Sequence, residues 1–65
     1  MKINIEIECD NAAFGETNYE IGEELRRILD DLGQRLSENG PPEPGDPLIL
    51  RDINGNHVGK AYITA

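Results

Sequence analysis

The run Thr17-Asn18-Tyr19-Glu20-Ile21-Gly22-Glu23-Glu24-Leu25-Arg26-Arg27-Ile28-Leu29-Asp30-Asp31-Leu32-Gly33-Gln34-Arg35-Leu36-Ser37-Glu38 spaces its apolar residues with the period of an α-helix. At about 100° per residue, Ile21, Leu25, Ile28, Leu29, Leu32 and Leu36 fall within an arc of roughly 100°, the width of a core-facing stripe. Thr17 and Glu20 have the spacing of a capping box, a hydroxyl before the first turn and a carboxylate three residues later. The spacing therefore predicts a helix over 18–38, closed where Asn39 or Gly40 takes a left-handed cap. Gly22 and Gly33 lie beside the stripe, and each costs about 1 kcal/mol in a helix interior. Two readings stand for them: a tolerated cost, or close approach to the sheet or to a second chain. The opposite face carries Glu23, Arg26, Arg27, Asp30, Asp31 and Arg35. Glu23–Arg27, Arg26–Asp30, Arg27–Asp31 and Asp31–Arg35 are pairs four apart, each worth a few tenths of a kcal/mol, and the face reads as solvated.

Upstream of the helix, residues 2–9 alternate strictly. Ile3, Ile5, Ile7 and Cys9 fall on one side; Lys2, Asn4, Glu6 and Glu8 fall on the other. Period two with β-branched residues predicts a half-buried strand. Asp10-Asn11 stops it, and Asn11-Ala12-Ala13-Phe14 makes one helical turn before Gly15, with Phe14 anchoring the loop on the core. Downstream, residues 39–47 form a connector whose segment Pro41-Pro42-Glu43-Pro44-Gly45-Asp46-Pro47 can neither continue a helix nor join a central strand. Leu48-Ile49-Leu50-Arg51-Asp52 and Val58-Gly59-Lys60-Ala61-Tyr62-Ile63-Thr64 then make a hairpin over 48–64. Asn54-Gly55 between them fits a type I′ turn, in which both central residues need positive φ. That turn sets Leu50 against Gly59 and Leu48 against Ala61, with Ile63 on the same side. Ile49, Val58 and Tyr62, with Arg51 and Lys60, fall on the other side. Both sides carry apolar residues, so the sequence leaves the inward side open and points to a protein-binding or dimer surface.

The order β-α-β-β predicts an α+β fold, a three-stranded sheet with one long helix packed on one face. The first strand suits a place beside the last, parallel or antiparallel. With 65 residues the chain holds one small domain, spanning 1–65. Domains of this size gain roughly 3–5 kcal/mol from a single core, so association is a common supplement. Cys9 is the only cysteine and His57 the only histidine, which excludes an internal disulfide framework and a zinc ligand set. No apolar run reaches the roughly 18–20 residues that span a bilayer. The expected setting is the cytoplasm, with no membrane contact.

No catalytic constellation is visible, and the chain is expected not to be an enzyme and to need no cofactor. Asp52-x-Asn54-x-Asn56 opens like a calcium loop, but the positions that need Gly and a bidentate Glu hold His57 and Ile63. A turn stabilised by Asx side chains is the better reading. His57 is expected to face solvent at the hairpin end, and Cys9 to act as a small buried hydrophobe.

Charge is the informative feature. The chain has 13 acidic residues against 6 Lys and Arg, a formal net charge of −7. Residues 1–47 hold twelve of the acids and four of the bases, whereas the terminal hairpin is slightly basic. Direct nucleic-acid binding is disfavoured by this balance, and any partner chosen by charge is basic. On an extended strand Glu6, Glu8 and Asp10 recur every ~6.6–6.8 Å along one side, a row of negative charge that resembles a phosphate backbone. Glu20, Glu23, Asp30 and Asp31 add carboxylates on the outer helix face. These seven are the candidate partner-binding residues. An acidic surface also keeps a small protein dispersed, and that reading stands beside the first.

The blocks Ile7-Glu8-Cys9-Asp10-Asn11-Ala12-Ala13-Phe14 and Leu50-Arg51-Asp52-Ile53-Asn54-Gly55-Asn56-His57-Val58-Gly59 resemble the two end blocks of very small acidic proteins from phages, prophages and mobile elements. Some small acidic proteins of that kind are anti-CRISPR inhibitors of type I effector complexes, including by DNA mimicry. The resemblance covers about 18 residues, with the leucine-rich helix between them. It implies an inhibitor whose partner is a basic nucleic-acid-binding protein or a CRISPR effector complex in a bacterial host's cytoplasm. The competing expectation is a non-catalytic structural or assembly module that dimerises or docks through the apolar outer face of its sheet; the chain itself is expected to be a monomer or weak homodimer.

Overall fold

A computed structural model describes residues Met1–Ala65. Strand β1 (Lys2–Ile7) leads through a single 3-10 turn (Ala12–Phe14) to helix α1 (Asn18–Asn39), followed by strands β2 (Leu48–Arg51) and β3 (His57–Thr64). The sheet order is β1-β3-β2 and both pairings are antiparallel. β1 and β2 therefore run parallel on either side of β3, and α1 is the crossover between them. This is the α+β fold expected, one long helix on one face of a three-stranded sheet.

Helix α1 begins as the sequence predicts. Thr17 Oγ1 accepts from the Glu20 N–H at 3.1 Å, and the Glu20 carboxylate accepts from the Thr17 N–H at 3.3 Å. Gly40 closes it, its N–H donating to the Leu36 carbonyl at 2.8 Å. The strand expected over 2–9 is shorter. Its ladder stops at Ile7, with the Glu8 N–H still donating to Val58 O at 2.7 Å. Beyond it the chain turns so that Asn11 caps the 3-10 turn and Phe14, with no exposed surface, plugs the core.

The hairpin register is as read from sequence, Leu48 opposite Ala61 and Leu50 opposite Gly59. The turn is not type I′. Only Gly55 has positive φ, at 85°. The Gly55 N–H donates to Asp52 O at 2.9 Å and the Asp52 N–H to Asn56 O at 2.9 Å. A three-residue loop, Ile53 to Gly55, thus ends on a left-handed glycine. The extra residue is absorbed by a register shift: Arg51 pairs with His57 and Leu50 with Gly59, which leaves Val58 without a partner on β2. Val58 is buried and counts among the core residues, although its position in the hairpin had put it on the outer side with Ile49 and Tyr62.

The core comprises Phe14, Ile28, Leu32, Leu50, Val58 and Ala61, with Ile7, Cys9, Ile21, Leu25, Leu36 and Leu48 packed partly buried around it. Cys9 is half-buried on the inward side, in the role expected of it. Gly59 lets β1 and β3 approach closely at the end of β1, opposite Ile7, because a Cβ there would run into the carbonyl oxygen of Glu6.

The arginine face of α1 is not simply solvated. Arg27 reaches Arg51 O at 3.0 Å and Arg35 reaches Ile49 O at 3.0 Å. These carbonyls lie on the free edge of β2, and a guanidinium supplies the donors that an edge strand lacks. For the same reason Arg27 pairs with Glu24 at 2.6 Å rather than with Glu23 or Asp31. Held toward β2, the helix leaves the start of β1 uncovered: Ile3 and Ile5, on the same side as the half-buried Ile7, are each 44% exposed.

Candidate functional site

The seven carboxylates singled out in the sequence are all exposed, but they fall into two groups on opposite layers of the molecule. Ala61 is buried under the helix, so the alternation of β3 turns Lys60 and Tyr62 to the far side of the sheet. Glu6 pairs with Lys60 across the strands and accepts a hydrogen bond from the Tyr62 hydroxyl at 2.6 Å. The Lys60 ammonium lies 5.1 Å from the centre of the Tyr62 ring. Glu6 therefore belongs to a small cluster of mixed charge. Its carboxylate holds the Tyr62 phenol above the ordinary value of 10.0, first by accepting its proton in a hydrogen bond, with burial and charge repulsion acting in the same direction.

Glu8 and Asp10 continue the row past the end of β1. With Glu6 and Glu8 on one wall and His57, Val58, Gly59 and Lys60 on the other, a shallow open depression runs over the outer sheet face. A second depression, bounded by Glu8, Asp10, Asn11, His57 and Val58, extends it toward the 3-10 turn. Glu8 and Asp10 engage no hydrogen-bond or ion-pair partner, and the exposed His57 lies between them and the hairpin.

On the helix layer the four candidates differ in how free they are. Glu20 is engaged in the capping box, accepting from the Thr17 hydroxyl as well at 2.9 Å. Asp30 lies 3.7 Å from Arg26 and Asp31 lies 3.2 Å from Arg35, the two four-apart pairs expected. Glu23 stands without a partner. The helix carboxylates thus form a separate, partly neutralised surface that cannot share one flat groove with Glu8 and Asp10.

Two acids outside the seven are the buried ones, Glu24 and Asp52. Glu24 accepts from Arg27 and, through its other oxygen, from the Ile53 N–H at 2.9 Å, tying the helix to the hairpin loop. Its signal was its position beside Ile28, on the flank of the apolar stripe rather than on the outer face. Asp52 is the centre of a knot. Its Oδ1 accepts from the N–H groups of Asn54 and Asn56, each at 2.9 Å, and its Oδ2 accepts from the side-chain amides of Asn11 at 2.7 Å and Asn56 at 3.1 Å. Burial alone would raise its pKa. The hydrogen bonds, from Asn56 first and then Asn11 and Asn54, outweigh burial and hold it below 3.8. The Asp52-x-Asn54-x-Asn56 spacing is an Asx-stabilised turn, as the sequence suggested, with its oxygens already occupied by donors.

The architecture and site define a two-layer α+β protein with carboxylates displayed on both faces. Compared with protein-family models, curated proteins and solved structures, the chain matches none of them. No helix is long and apolar enough to cross a membrane.

Proposed function

We propose that this chain is a non-catalytic binding protein that sets its carboxylates against a basic, nucleic-acid-binding surface of a protein partner. In the form implied by the resemblance of its end blocks, it is a phage or mobile-element inhibitor that occupies the DNA-binding surface of a CRISPR effector complex in the host cytoplasm. One observation carries the reading. Of the six cations, Arg26, Arg27, Arg35, Arg51 and Lys60 are all engaged within the chain, leaving Lys2. Glu8, Asp10 and Glu23 have no such partner, so the field beyond the surface is negative. Carboxylates at strand spacing meet Lys and Arg built to bind phosphates through charge-assisted hydrogen bonds.

The internal partners rank the candidates. Glu8 and Asp10 come first, Glu23 next, then Glu6, whose charge Lys60 and Tyr62 partly satisfy. The test is competition: a purified type I effector complex is incubated with its target duplex and increasing amounts of the chain. Displacement of the duplex is expected. Replacing Glu6, Glu8 and Asp10 with Gln, Gln and Asn is expected to weaken displacement about 10-fold or more at low salt, with a smaller loss at high salt, where screening is strong. Equal displacement by the neutralised trio at low ionic strength would reject the acidic strip as the binding surface.

The outer sheet face expected for an assembly module is less apolar than its residues suggested. Val58 is buried, and Lys2, Glu6 and Lys60 share the face with the half-buried Ile49 and Tyr62. The exposed isoleucines of the sheet, Ile3 and Ile5, lie on the helix side of β1.

A further inference from the structure

The two edges of the sheet are treated differently. Along β2 the carbonyls of Ile49 and Arg51 are covered by Arg35 and Arg27. Along β1 the one side-chain donor is the Cys9 thiol, 3.8 Å from the Ile7 carbonyl at the end of the strand, and no side chain covers Ile3 or Ile5. The Glu8 N–H points to β3, so by alternation the even-numbered residues of β1 face β3, and Ile3, Ile5 and Ile7 turn their N–H and C=O groups outward. The side chains beside this open edge are also uncovered. Ile3 and Ile5 are 44% exposed, as is Leu29 on the facing side of the helix. Gly22 and Gly33, on the same flank of α1, have nothing within 4 Å of where a Cβ would stand. The whole chain exposes 4622 Å², against about 4,100 Å² for a folded monomer of its mass.

We propose that a second copy of the chain completes this edge. The two β1 strands pair antiparallel about a two-fold axis through Asn4, giving one six-stranded sheet. The segment Lys2-Ile3-Asn4-Ile5-Glu6 is complementary to its own reverse. In this register Lys2 faces Glu6 of the other copy, twice by symmetry; Ile3 faces Ile5, and Asn4 faces Asn4. The isoleucines become the hydrogen-bonded pairs, which is what their outward N–H and C=O groups require. Lys2, Asn4 and Glu6 become the narrow pairs, whose Cα atoms approach to about 4.5 Å and whose side chains meet most closely. A two-fold axis through Ile5 instead would set Lys2 against Glu8, which lies past the end of β1. The net charge of −7 opposes association over long range, while the charges on the strand itself attract. Ile3, Ile5 and Leu29 then gain cover that one copy cannot give them.

The experiment is sedimentation equilibrium over a concentration series reaching about 1 mM. The expected result is a reversible species of twice the 7.2 kDa chain mass. Lys2→Glu sets Glu against Glu at both symmetric positions and is expected to raise the dimer dissociation constant about 10-fold or more. The double variant Lys2→Glu/Glu6→Lys exchanges the two charges, and its dissociation constant is expected to return to within about threefold of the original. In a Cys9→Ser background, Asn4→Cys is expected to oxidise to a linked dimer, because the pair at the axis has a Cα spacing within disulfide range. A chain that stays monomeric through the series overturns the proposal. So does a dimer indifferent to Lys2→Glu, or one that the double exchange fails to restore. If Glu6→Lys unfolds the chain by disturbing Lys60 and Tyr62, as circular dichroism would show, Lys2→Glu and the Asn4→Cys cross-link decide alone. A monomer that still displaces DNA from its partner overturns only the pairing.

Discussion

Asp52 joins three pieces of chain that are distant in sequence or differ in structure: the 3-10 turn through Asn11, the hairpin loop through Asn54, and the start of β3 through Asn56. Its carboxyl has a lower pKa in the fold than in the free chain. Such a group stabilises the fold above its unfolded pKa, and the contribution is lost as pH falls through the folded value. Stability is therefore expected to drop below about pH 4. Asp52→Asn cannot titrate: its urea midpoint should be lower than the parent's at neutral pH and flatter in acid. A variant as acid-sensitive as the parent would show that another carboxylate governs. The sequence showed that this residue shapes the turn, since the Asx spacing is local. It did not show Asn11 as a partner, because 41 residues separate that side chain from Asp52 and only the tertiary fold brings them together.

At the scale of elements, α1 and β3 respond to the same substitution in opposite ways. Gly33→Ala adds a methyl group where nothing lies within 4 Å, and it is expected to stabilise the helix by about 0.5–1 kcal/mol. Gly59→Ala adds one against the backbone of β1 and is expected to cost about 3 kcal/mol or more, or to prevent folding. Thermal unfolding of both variants measures the contrast; equal effects would mean that β1 and β3 adjust without strain. The elements themselves were legible where their causes are local. The capping box, the alternation of residues 2–7 and the apolar stripe each lie within one segment. The partners of Arg27 were not legible, because β2 offers it a carbonyl from 24 residues away and Glu24 takes the charge. Nor was the burial of Val58 beside the register shift, which comes with a three-residue loop where Asn54-Gly55 suggested two.

For the whole molecule, the candidate site was legible as composition and not as arrangement. The excess of acids is plain in the sequence, but which of them are free depends on the fold. Of the seven candidates, Glu6 is engaged by Tyr62 and Lys60, Glu20 by Thr17, and Asp30 and Asp31 by the arginines of α1, so Glu8, Asp10 and Glu23 remain. The fold also sends the strand and helix carboxylates to opposite layers, so a partner groove meets one set at a time.

The arginine straps on β2 have a consequence for how far the chain can assemble. A sheet with two bare edges adds copies without end and grows into a filament. This one has a single bare edge, so each copy accepts one neighbour and growth terminates at two. Replacing Arg27 and Arg35 with Met keeps an unbranched apolar stem and removes the donors, which exposes the second edge. Light scattering of that double variant is expected to rise with time and concentration, through species larger than a pair. Scattering that stays at the parent's value would mean that the straps fasten the helix without guarding the edge.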